Sequence, residues 1–323
     1  MDWNPEEDPA PRTQFLRDKS QTIIAYNDSP DIGFEASVNP YRGCEHGCIY
    51  CYARPFHEYL GFSSGLDFET KIMVKENAPQ LLRKELASSK WKPQMIAISG
   101  VTDCYQPIER KLKLTRGCLQ VLAEFRNPVG LVTKNGLVTR DIDVLSELAK
   151  VQAAQVFISL TTLDTELRKV MEPRTSPLAA RLAAIRALTQ AGIPVGALIA
   201  PVIPGLTDHE VPALVEAAAK AGARSAGYVV LRLPHAVAPM FERWLEIHFP
   251  DRKDKVLNRV RSMRGGKLYE SSFGKRMSGE GIFADQIDLL FEAARRKHGL
   301  TGRMPQLSAA AFRRPAGPQL DLF

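Results

Sequence analysis

The chain of 323 residues lacks an uninterrupted apolar run long enough to cross a bilayer. The best candidate, 193–206, is broken by Pro194, Pro201 and Pro204, which predicts a buried strand with a turn instead. The first residues are acidic, whereas an export signal would be basic, so we expect no secretory signal. Together these absences predict a cytoplasmic protein with no membrane association.

Cysteine is scarce, with five in the whole chain. Three of them lie within eight residues, and the other two, Cys104 and Cys118, are isolated. This distribution argues against a disulfide framework, and in a chain with no export signal the clustered trio predicts a metal site in a reducing compartment. A disulfide between two of the three is the minor alternative.

Acidic residues are fewer than basic ones, 36 against 43, and the net charge of +7 indicates a polyanionic partner. The excess is concentrated between residues 251 and 276. There, nine Lys or Arg are opposed only by Asp251, Asp254 and Glu270. Two interpretations carry equal weight, a solvated basic helix face and a phosphate-binding surface.

The three clustered cysteines are Cys44, Cys48 and Cys51, spaced C-x3-C-x2-C. Thiolates this close along the chain can converge on one metal centre. Three ligands are one fewer than the four that complete a usual iron–sulfur site, so one iron of a four-iron cluster would have no protein ligand. Such an iron could bind a small molecule and pass an electron to it, which predicts an enzyme rather than an electron carrier.

The middle of the chain alternates short apolar strands with amphipathic helical patterns. The strand candidates are 34–38, 95–99, 130–133, 155–160, 195–200 and 227–231. Because parallel strands need helical crossovers, six such units predict a parallel sheet, either a curved open barrel or a doubly wound open sheet. In both, ligands bind at the C-terminal ends of the strands, where the cysteine loop follows the first strand. Thr207 and Glu210 predict a capping box at the start of one helix.

Composition divides the chain into four parts. Residues 1–33 carry turn formers without clear periodicity and are predicted to be an N-terminal extension of the α/β unit, 34–235. Residues 236–300 show helical patterns alone, which predicts a C-terminal helical region. Residues 301–323 are rich in Pro, Gly, Ala and Arg, and we expect a flexible tail.

The cysteine spacing, with an aromatic residue before the last cysteine and a strand before the loop, resembles the radical S-adenosylmethionine (SAM) superfamily. The stretches that look like its branch related to spore photoproduct lyase, often labelled light-independent DNA repair lyases, are 99–109, 159–164, 171–174, 192–196 and 204–208. The resemblance implies a partial (β/α)6 TIM-like barrel with a C-terminal helical extension. It also implies a 4Fe-4S cluster held by Cys44, Cys48 and Cys51, and a SAM cofactor whose reductive cleavage gives a 5′-deoxyadenosyl radical.

The resemblance assigns cofactor contacts to residues at the ends of strands. Tyr50 is expected near the adenine, Ser99 and Gly100 near the methionine amino group, and Ser159 near the ribose or carboxylate. Small and hydroxyl residues that end a strand are also common turn formers, which is the alternative for the last three.

The same branch uses a cysteine as hydrogen donor and a tyrosine beside the last cluster cysteine. Tyr50 and Tyr52 both match the tyrosine context, and Tyr52 is the candidate catalytic tyrosine. Cys104 is the candidate donor, although it lies four residues after Gly100, where the donor would align. This offset puts thymine-dimer reversal in doubt, and packing as a small apolar side chain is the alternative for Cys104. Cys118 lies in a helical pattern and is expected to pack, and His46 is expected to orient the cysteine loop or to face solvent.

The chain ends with five residues that resemble the motif by which bacterial repair and replication proteins bind the sliding clamp. They are Gln319, Leu320, Asp321, Leu322 and Phe323. An apolar end on a tether can dock into a partner pocket, while folding back onto its own domain is the alternative.

Three functions are therefore open. The first is a radical SAM enzyme that acts on damaged or modified DNA, delivered by the clamp and reduced by a donor such as flavodoxin or ferredoxin. The second is a radical SAM enzyme that modifies RNA, a protein or a small metabolite. The third is a non-catalytic iron–sulfur protein associated with DNA.

Overall fold

A computed structural model describes residues 12–315 of the chain. The strands in that range are Gln14–Arg17 (β1), Ile24–Tyr26 (β2), Ala36–Val38 (β3), Tyr41–Arg42 (β4), Lys71–Val74 (β5), Ile96–Ile98 (β6), Val129–Thr133 (β7), Ala154–Leu160 (β8), Val195–Val202 (β9) and Ser225–Val230 (β10). The α-helices are Leu66–Thr70 (α1), Ala78–Ala87 (α2), Glu109–Leu112 (α3), Leu114–Phe125 (α4), Ile142–Lys150 (α5), Thr165–Met171 (α6), Leu178–Gln190 (α7), Val211–Ala221 (α8), Val237–His248 (α9), Pro250–Ser262 (α10) and Ile282–Lys297 (α11). Short 3-10 helices cover Arg54–Leu60, Gly136–Asp141 and Asp208–Glu210.

Seven strands form the main sheet in the order β10-β9-β8-β7-β6-β3-β2. All neighbours from β3 to β10 are parallel, and β2 is antiparallel to β3. The six parallel strands are the six that the sequence predicted. Their order follows the chain without the reversal that defines a doubly wound sheet, so that alternative is wrong.

Close packing between neighbouring strands explains one glycine in the sheet. Gly196 on β9 is paired with Phe157 on β8, and a Cβ at Gly196 would lie 2.5 Å from the Phe157 ring. Both strands are largely buried, as expected for parallel strands covered by crossover helices. A larger residue at this position would force the two strands apart.

The N-terminal segment adds strands to both sheets. β2 extends the main sheet beside β3, and β1 pairs with β5, which in turn pairs with β4 in a three-stranded sheet. Each is only three or four residues long, too short to show a clear alternation in the sequence. The small sheet holds β4, the strand that leads into the cysteine loop.

The C-terminal region is helical, as predicted, and it supports the cysteine loop. Phe241 and Trp244 on α9 and Leu257 on α10 belong to one buried cluster with Cys48 and Tyr50. No helix among residues 12–315 is both long and apolar enough to cross a bilayer.

The predicted capping box before α8 is wrong. The Thr207 hydroxyl accepts a hydrogen bond from the Ile203 backbone N–H at 2.9 Å, and the Glu210 carboxylate accepts one from the Leu163 backbone N–H at 2.6 Å. Glu210 therefore ties the start of α8 to the loop after β8, because that loop presents backbone donors within its reach.

The described part of the tail lies against the molecule, in contrast to the flexible segment expected from residue 301. The backbone N–H of Ser308 donates to Gln152, and that of Arg313 to Phe125, each at 2.9 Å. The Arg314 guanidinium donates to the carbonyls of Ser88 and Trp91. These acceptors lie just before β6, β7 and β8, so the tail crosses the sheet edge opposite the cysteine loop. Residues 319–323 lie outside the described residues.

Candidate active site

The cysteine loop follows β4 at the C-terminal edge of the main sheet. The Cys44 N–H donates to the Phe68 carbonyl at 2.8 Å, and the Cys51 N–H donates to the Cys48 carbonyl at 3.2 Å. Cys44 and Cys48 are buried, and Cys51 is partly exposed. Gly47 turns the loop with φ +68°, a left-handed conformation that favours glycine. The three thiols are thus held on one compact turn.

The donor set fits an iron–sulfur cluster. Burial raises the pKa of the Cys48 thiol, and Glu172 and the other two sulfurs raise it further. Burial and the charge of Cys44 also raise the pKa of Cys51. Buried sulfurs that repel one another as anions favour a cationic centre, because metal binding offsets their charge.

All five cysteines are free thiols, and no disulfide joins the clustered three. Among residues 12–315, no three His, Cys, Asp or Glu side chains converge closely enough to hold a single metal ion. A four-iron cluster does not require that convergence, since each thiolate binds a different iron.

His46 links the cysteine loop to the end of β7. The side chain is 1% exposed, with Nδ1 3.4 Å from the Asp103 carboxylate and Nε2 3.2 Å from the Asn135 side-chain amide. Asp103 also accepts a hydrogen bond from the Lys134 backbone N–H at 2.8 Å. Burial alone would lower the pKa of His46, but Asp103 and the Cys44 sulfur raise it to about 10. This position agrees with the prediction that His46 orients the loop.

Arg54 holds the backbone of the cysteine loop through hydrogen bonds to its carbonyls, and sequence reasoning missed this residue. Its guanidinium is 1% exposed and donates to the carbonyls of Cys48 at 3.0 Å, Gly47 at 3.2 Å and Ser64 at 3.1 Å. Glu69 forms an ion pair with it. No local pattern marks this role, because the acceptors come from two separate turns.

Tyr50 is anchored by a buried ion pair. Its hydroxyl donates to Glu172, which also pairs with Arg181 at 2.5 Å and accepts from the Thr161 hydroxyl at 2.7 Å. Arg181 donates in addition to the Ser159 carbonyl at 3.1 Å. Burial alone would raise the pKa of Glu172, but the Arg181 charge lowers it to about 2. The network brings Tyr50 and Ser159 together, and their contacts with SAM stay predictions.

Tyr52 and Gly100 also meet, because the loops after β3 and β6 converge. The Tyr52 hydroxyl donates to the Gly100 carbonyl at 2.6 Å, and the Gly100 N–H donates to the Asn39 side chain at 2.9 Å. Ser99 has φ +83°, and its hydroxyl accepts from the Cys104 N–H at 2.9 Å. Tyr52 is 43% exposed. The predicted contacts of Ser99 and Gly100 with SAM are not tested by this geometry.

Cys104 has no exposed surface and belongs to the main hydrophobic core. Burial, with Asp103 next in effect, raises the pKa of its thiol well above the usual range. This position suits the packing alternative, and its role as hydrogen donor stays a prediction. Cys118 on α4 is equally buried, which confirms that it packs.

Arg232 is a second residue that sequence reasoning missed. It follows β10, and its guanidinium lies 5.2 Å from the centre of the Tyr52 ring. Its Nε is buried and has no hydrogen-bond partner among residues 12–315. Burial and the charge of Arg232 lower the pKa of neighbouring Arg264 to about 10. A charged residue directly after the last strand, at the edge where ligands bind, was the signal that could have identified it.

Residues 38–218 match the family model of the radical SAM superfamily, more than half of the chain. The chain belongs to the radical SAM superfamily. The resemblance inferred from the cysteine motif is thereby confirmed. Members of this superfamily use a 4Fe-4S cluster and SAM as cofactors.

Related sequences occur in bacteria and archaea. An uncharacterized protein of Mycobacterium tuberculosis is 38% identical over 220 residues, which cover 68% of this chain and 65% of that protein. An uncharacterized protein of Methanocaldococcus jannaschii is 32% identical over 178 residues, 55% of this chain and 64% of that protein. The chain thus spans less than two thirds of the length of these relatives.

The fold is similar to solved structures of spore photoproduct lyase. A mutant of that lyase with bound AdoMet and dinucleoside spore photoproduct has a TM-score of 0.61 and 16% identity, covering 88% of this chain and 78% of the lyase. A further structure, complexed with dinucleoside spore photoproduct, has a TM-score of 0.60 and 17% identity, covering 88% and 79%. At this identity the likeness concerns the fold.

Proposed function

We propose that this radical SAM enzyme acts on damaged or modified DNA as a repair lyase. The observation that carries the proposal is the Arg232 guanidinium, which lies over Tyr52 at the C-terminal edge of the sheet. It forms no ion pair within residues 12–315, and its Nε has no hydrogen-bond partner there. A nucleic-acid phosphate would supply the missing anion. The similar fold of a lyase seen with dinucleoside spore photoproduct supports the same class of substrate.

In this proposal Cys44, Cys48 and Cys51 hold the cluster, and Arg54 keeps their loop rigid through its carbonyls. When bound, the cluster would supply the single electron for reductive cleavage of a carbon–sulfur bond of SAM, with methionine as the leaving group. Tyr50 would then position the cofactor, because its hydroxyl is already held by Glu172.

The ends of β6 and β8 would provide the remaining contacts with the cofactor. Ser99 and Gly100 would receive the methionine amino group, and Ser159 the ribose or carboxylate. Tyr52 and Cys104 are the proposed catalytic residues. Since Cys104 has no exposed surface, its part as hydrogen donor requires that the loop 99–104 opens.

We further propose that the sheet is curved into a partial barrel. Arg276 pairs with Asp31 in the β2–β3 connection at 2.5 Å, and the adjacent Met277 carbonyl accepts from Val230 on β10 at 2.8 Å. In a flat sheet the outer strands would lie roughly 29 Å apart, since seven strands are separated by six spacings of about 4.8 Å. Two consecutive residues span far less than that distance, which supports a curvature that brings the two edges together.

The proposal includes a cytoplasmic location, an electron donor such as flavodoxin or ferredoxin, and delivery by the sliding clamp through residues 319–323. The five free thiols suit a reducing compartment. The described tail runs along the edge opposite the cysteine loop, so a clamp bound beyond it would leave the candidate site uncovered. Clamp pull-down with and without residues 319–323 tests delivery, and equal recovery would contradict it.

Anaerobic reconstitution with iron, sulfide, reductant and SAM tests the proposed reaction. We expect the wild type and Cys118→Ala to form 5′-deoxyadenosine and Cys48→Ala to form none, although both replaced thiols are buried. Damaged duplex DNA should increase product formation more than undamaged DNA or RNA. Stimulation by RNA, a protein or a metabolite instead would refute the DNA substrate, and no 5′-deoxyadenosine in any sample would favour the non-catalytic alternative.

A further inference from the structure

A basic groove lies between the loop after β9 and the helix α10, and Leu290 of α11 also lines it. Its volume is about 440 Å³. The loop and helix residues that line it are Gly205, Asp208, His209, Arg252, Lys255 and Arg259. None of these side chains has a part in the cysteine loop or in the Tyr50 network.

The charge of the groove is positive and largely uncompensated. Arg252, Lys255 and Arg259 lie three and four residues apart, so they share one face of α10. Arg259 pairs with Asp208 at 2.9 Å. Arg252 and Lys255 are exposed, and neither forms an ion pair within the part of the chain that the structure describes. Two cations are therefore left for an external anion.

Gly205 keeps the floor of the groove open. Its φ is +84°, and a Cβ there would lie 3.4 Å from Arg259 Cδ and 3.5 Å from Lys255 Cγ. The stems of both long side chains therefore run closely over the loop.

The opposite face of α10 connects the groove to the catalytic edge. Val256, Leu257 and Val260 are buried in the cluster that also contains Cys48 and Tyr50. The loop that forms the other wall follows β9, so this wall and the cysteine loop both lie at the C-terminal edge of the sheet. A strand held in the groove would be fixed in position relative to the site.

We propose that this groove binds the phosphodiester backbone of duplex DNA beside the target base. The inference rests on the proposed function, and it assigns the backbone contact to Arg252 and Lys255 in particular. Such contacts position the duplex and carry no sequence information, so they should act equally on damaged and intact DNA. Each phosphate neutralised changes the slope of log K against log salt by about 0.9.

The test compares two double variants of the reconstituted full-length enzyme that lose the same charge. Arg252→Gln with Lys255→Gln alters the groove, and Lys84→Gln with Lys90→Gln alters two exposed cations on and just after α2. Fluorescence anisotropy with a labelled duplex is measured over a series of salt concentrations. The groove variant should lower the salt slope by about 2, while the control keeps the wild-type slope. Melting temperature and iron content check that each variant is folded and loaded.

The outcomes separate the groove from the proposed function. The groove inference is wrong if the wild type binds duplex DNA with salt-sensitive affinity and the salt slopes of the two variants equal that of the wild type or fall by the same amount. The DNA substrate then stands. If the wild type shows no salt-sensitive binding of duplex DNA, the proposed function fails first. If the groove variant loses affinity for single-stranded RNA of equal length but keeps its affinity for duplex DNA, duplex DNA is not the occupant of the groove.

Discussion

Replacing Glu172 with Gln tests how strongly the buried ion pair stabilises the fold around Tyr50. Glu172 and Arg181 are both buried, and the carboxylate also receives the Tyr50 and Thr161 hydroxyls. Gln keeps the size of the side chain but removes its charge. The Arg181 guanidinium then stays buried without a counter-ion, while its hydrogen bond to the Ser159 carbonyl remains.

Two estimates give the magnitude. Removal of one partner from a buried pair costs about 3–5 kcal/mol, because an uncompensated charge is left in the interior. The pKa of Glu172 lies at about 2 instead of its ordinary 4.5, which corresponds to a stabilisation on the order of 3 kcal/mol at neutral pH. For a chain of 323 residues, both values predict a fall in melting temperature of about 4–8 °C.

The stabilisation by the Glu172 carboxylate should depend on pH, and the lowered pKa sets the direction of that dependence. A carboxylate whose pKa is lower in the folded state stabilises the protein above its ordinary pKa of 4.5, and this stabilisation is lost as the pH falls to about 2. The difference in melting temperature between wild type and Glu172→Gln should therefore be full near neutral pH and shrink below pH 4.5. Circular dichroism of the cofactor-free protein over this range measures it.

Glu166→Gln on α6 is the matched control, since its side chain is 78% exposed and pairs with Lys169 on the surface. We expect less than about 0.5 kcal/mol for this change. Glu172→Gln combined with Arg181→Met should recover part of the loss, because no unpaired charge then stays buried. A Glu172→Gln protein that melts with the control would refute the reasoning.

Three further changes probe the loop and the sheet edges. Gly47→Ala should destabilise the protein by about 2 kcal/mol and lower its iron content after reconstitution. The φ of +68° is strained for alanine, and the new Cβ would lie 2.2 Å from a guanidinium nitrogen of Arg174. The control Gly33→Ala, whose Cβ would meet open space, should change neither stability nor iron content. His46→Gln should lower the melting temperature of the cofactor-free protein near neutral pH. Because the pKa of His46 is raised to about 10, its stabilisation is present below the ordinary 6.5 and is lost as the pH rises through 10, so a difference that persists above pH 10 would contradict the assignment. Arg276→Gln should speed amide hydrogen exchange in residues 272–277 roughly tenfold, because it breaks the ion pair with Asp31, and exchange in β8 should not change. Unchanged exchange in residues 272–277 would contradict a stabilising link between the two edges of the sheet.

The elements that the sequence predicted well are those whose signal is local. The strand predicted at 155–160 is observed as Ala154–Leu160, and the helices after residue 236 occur where their apolar periodicity places them. The cysteine loop is local too, since three thiols within eight residues are close in any compact conformation. Short β-strands such as β1 and β2 escape this approach because three or four residues hold no full pattern.

The amino-acid sequence by itself determined the six parallel strands and the superfamily, and it predicts Cys44, Cys48 and Cys51 as the ligands of the cluster. Tertiary structure alone decided what surrounds the thiols. Tyr50 meets Glu172 from 122 residues away, and Arg232 meets Tyr52 across the two ends of the sheet. Glu210, predicted to cap its own helix, instead binds a neighbouring loop. The physical reason is the same in each case: a buried charge or hydroxyl takes whichever partner the folded chain brings within hydrogen-bonding distance, and that distance is not written in the spacing of residues along the chain.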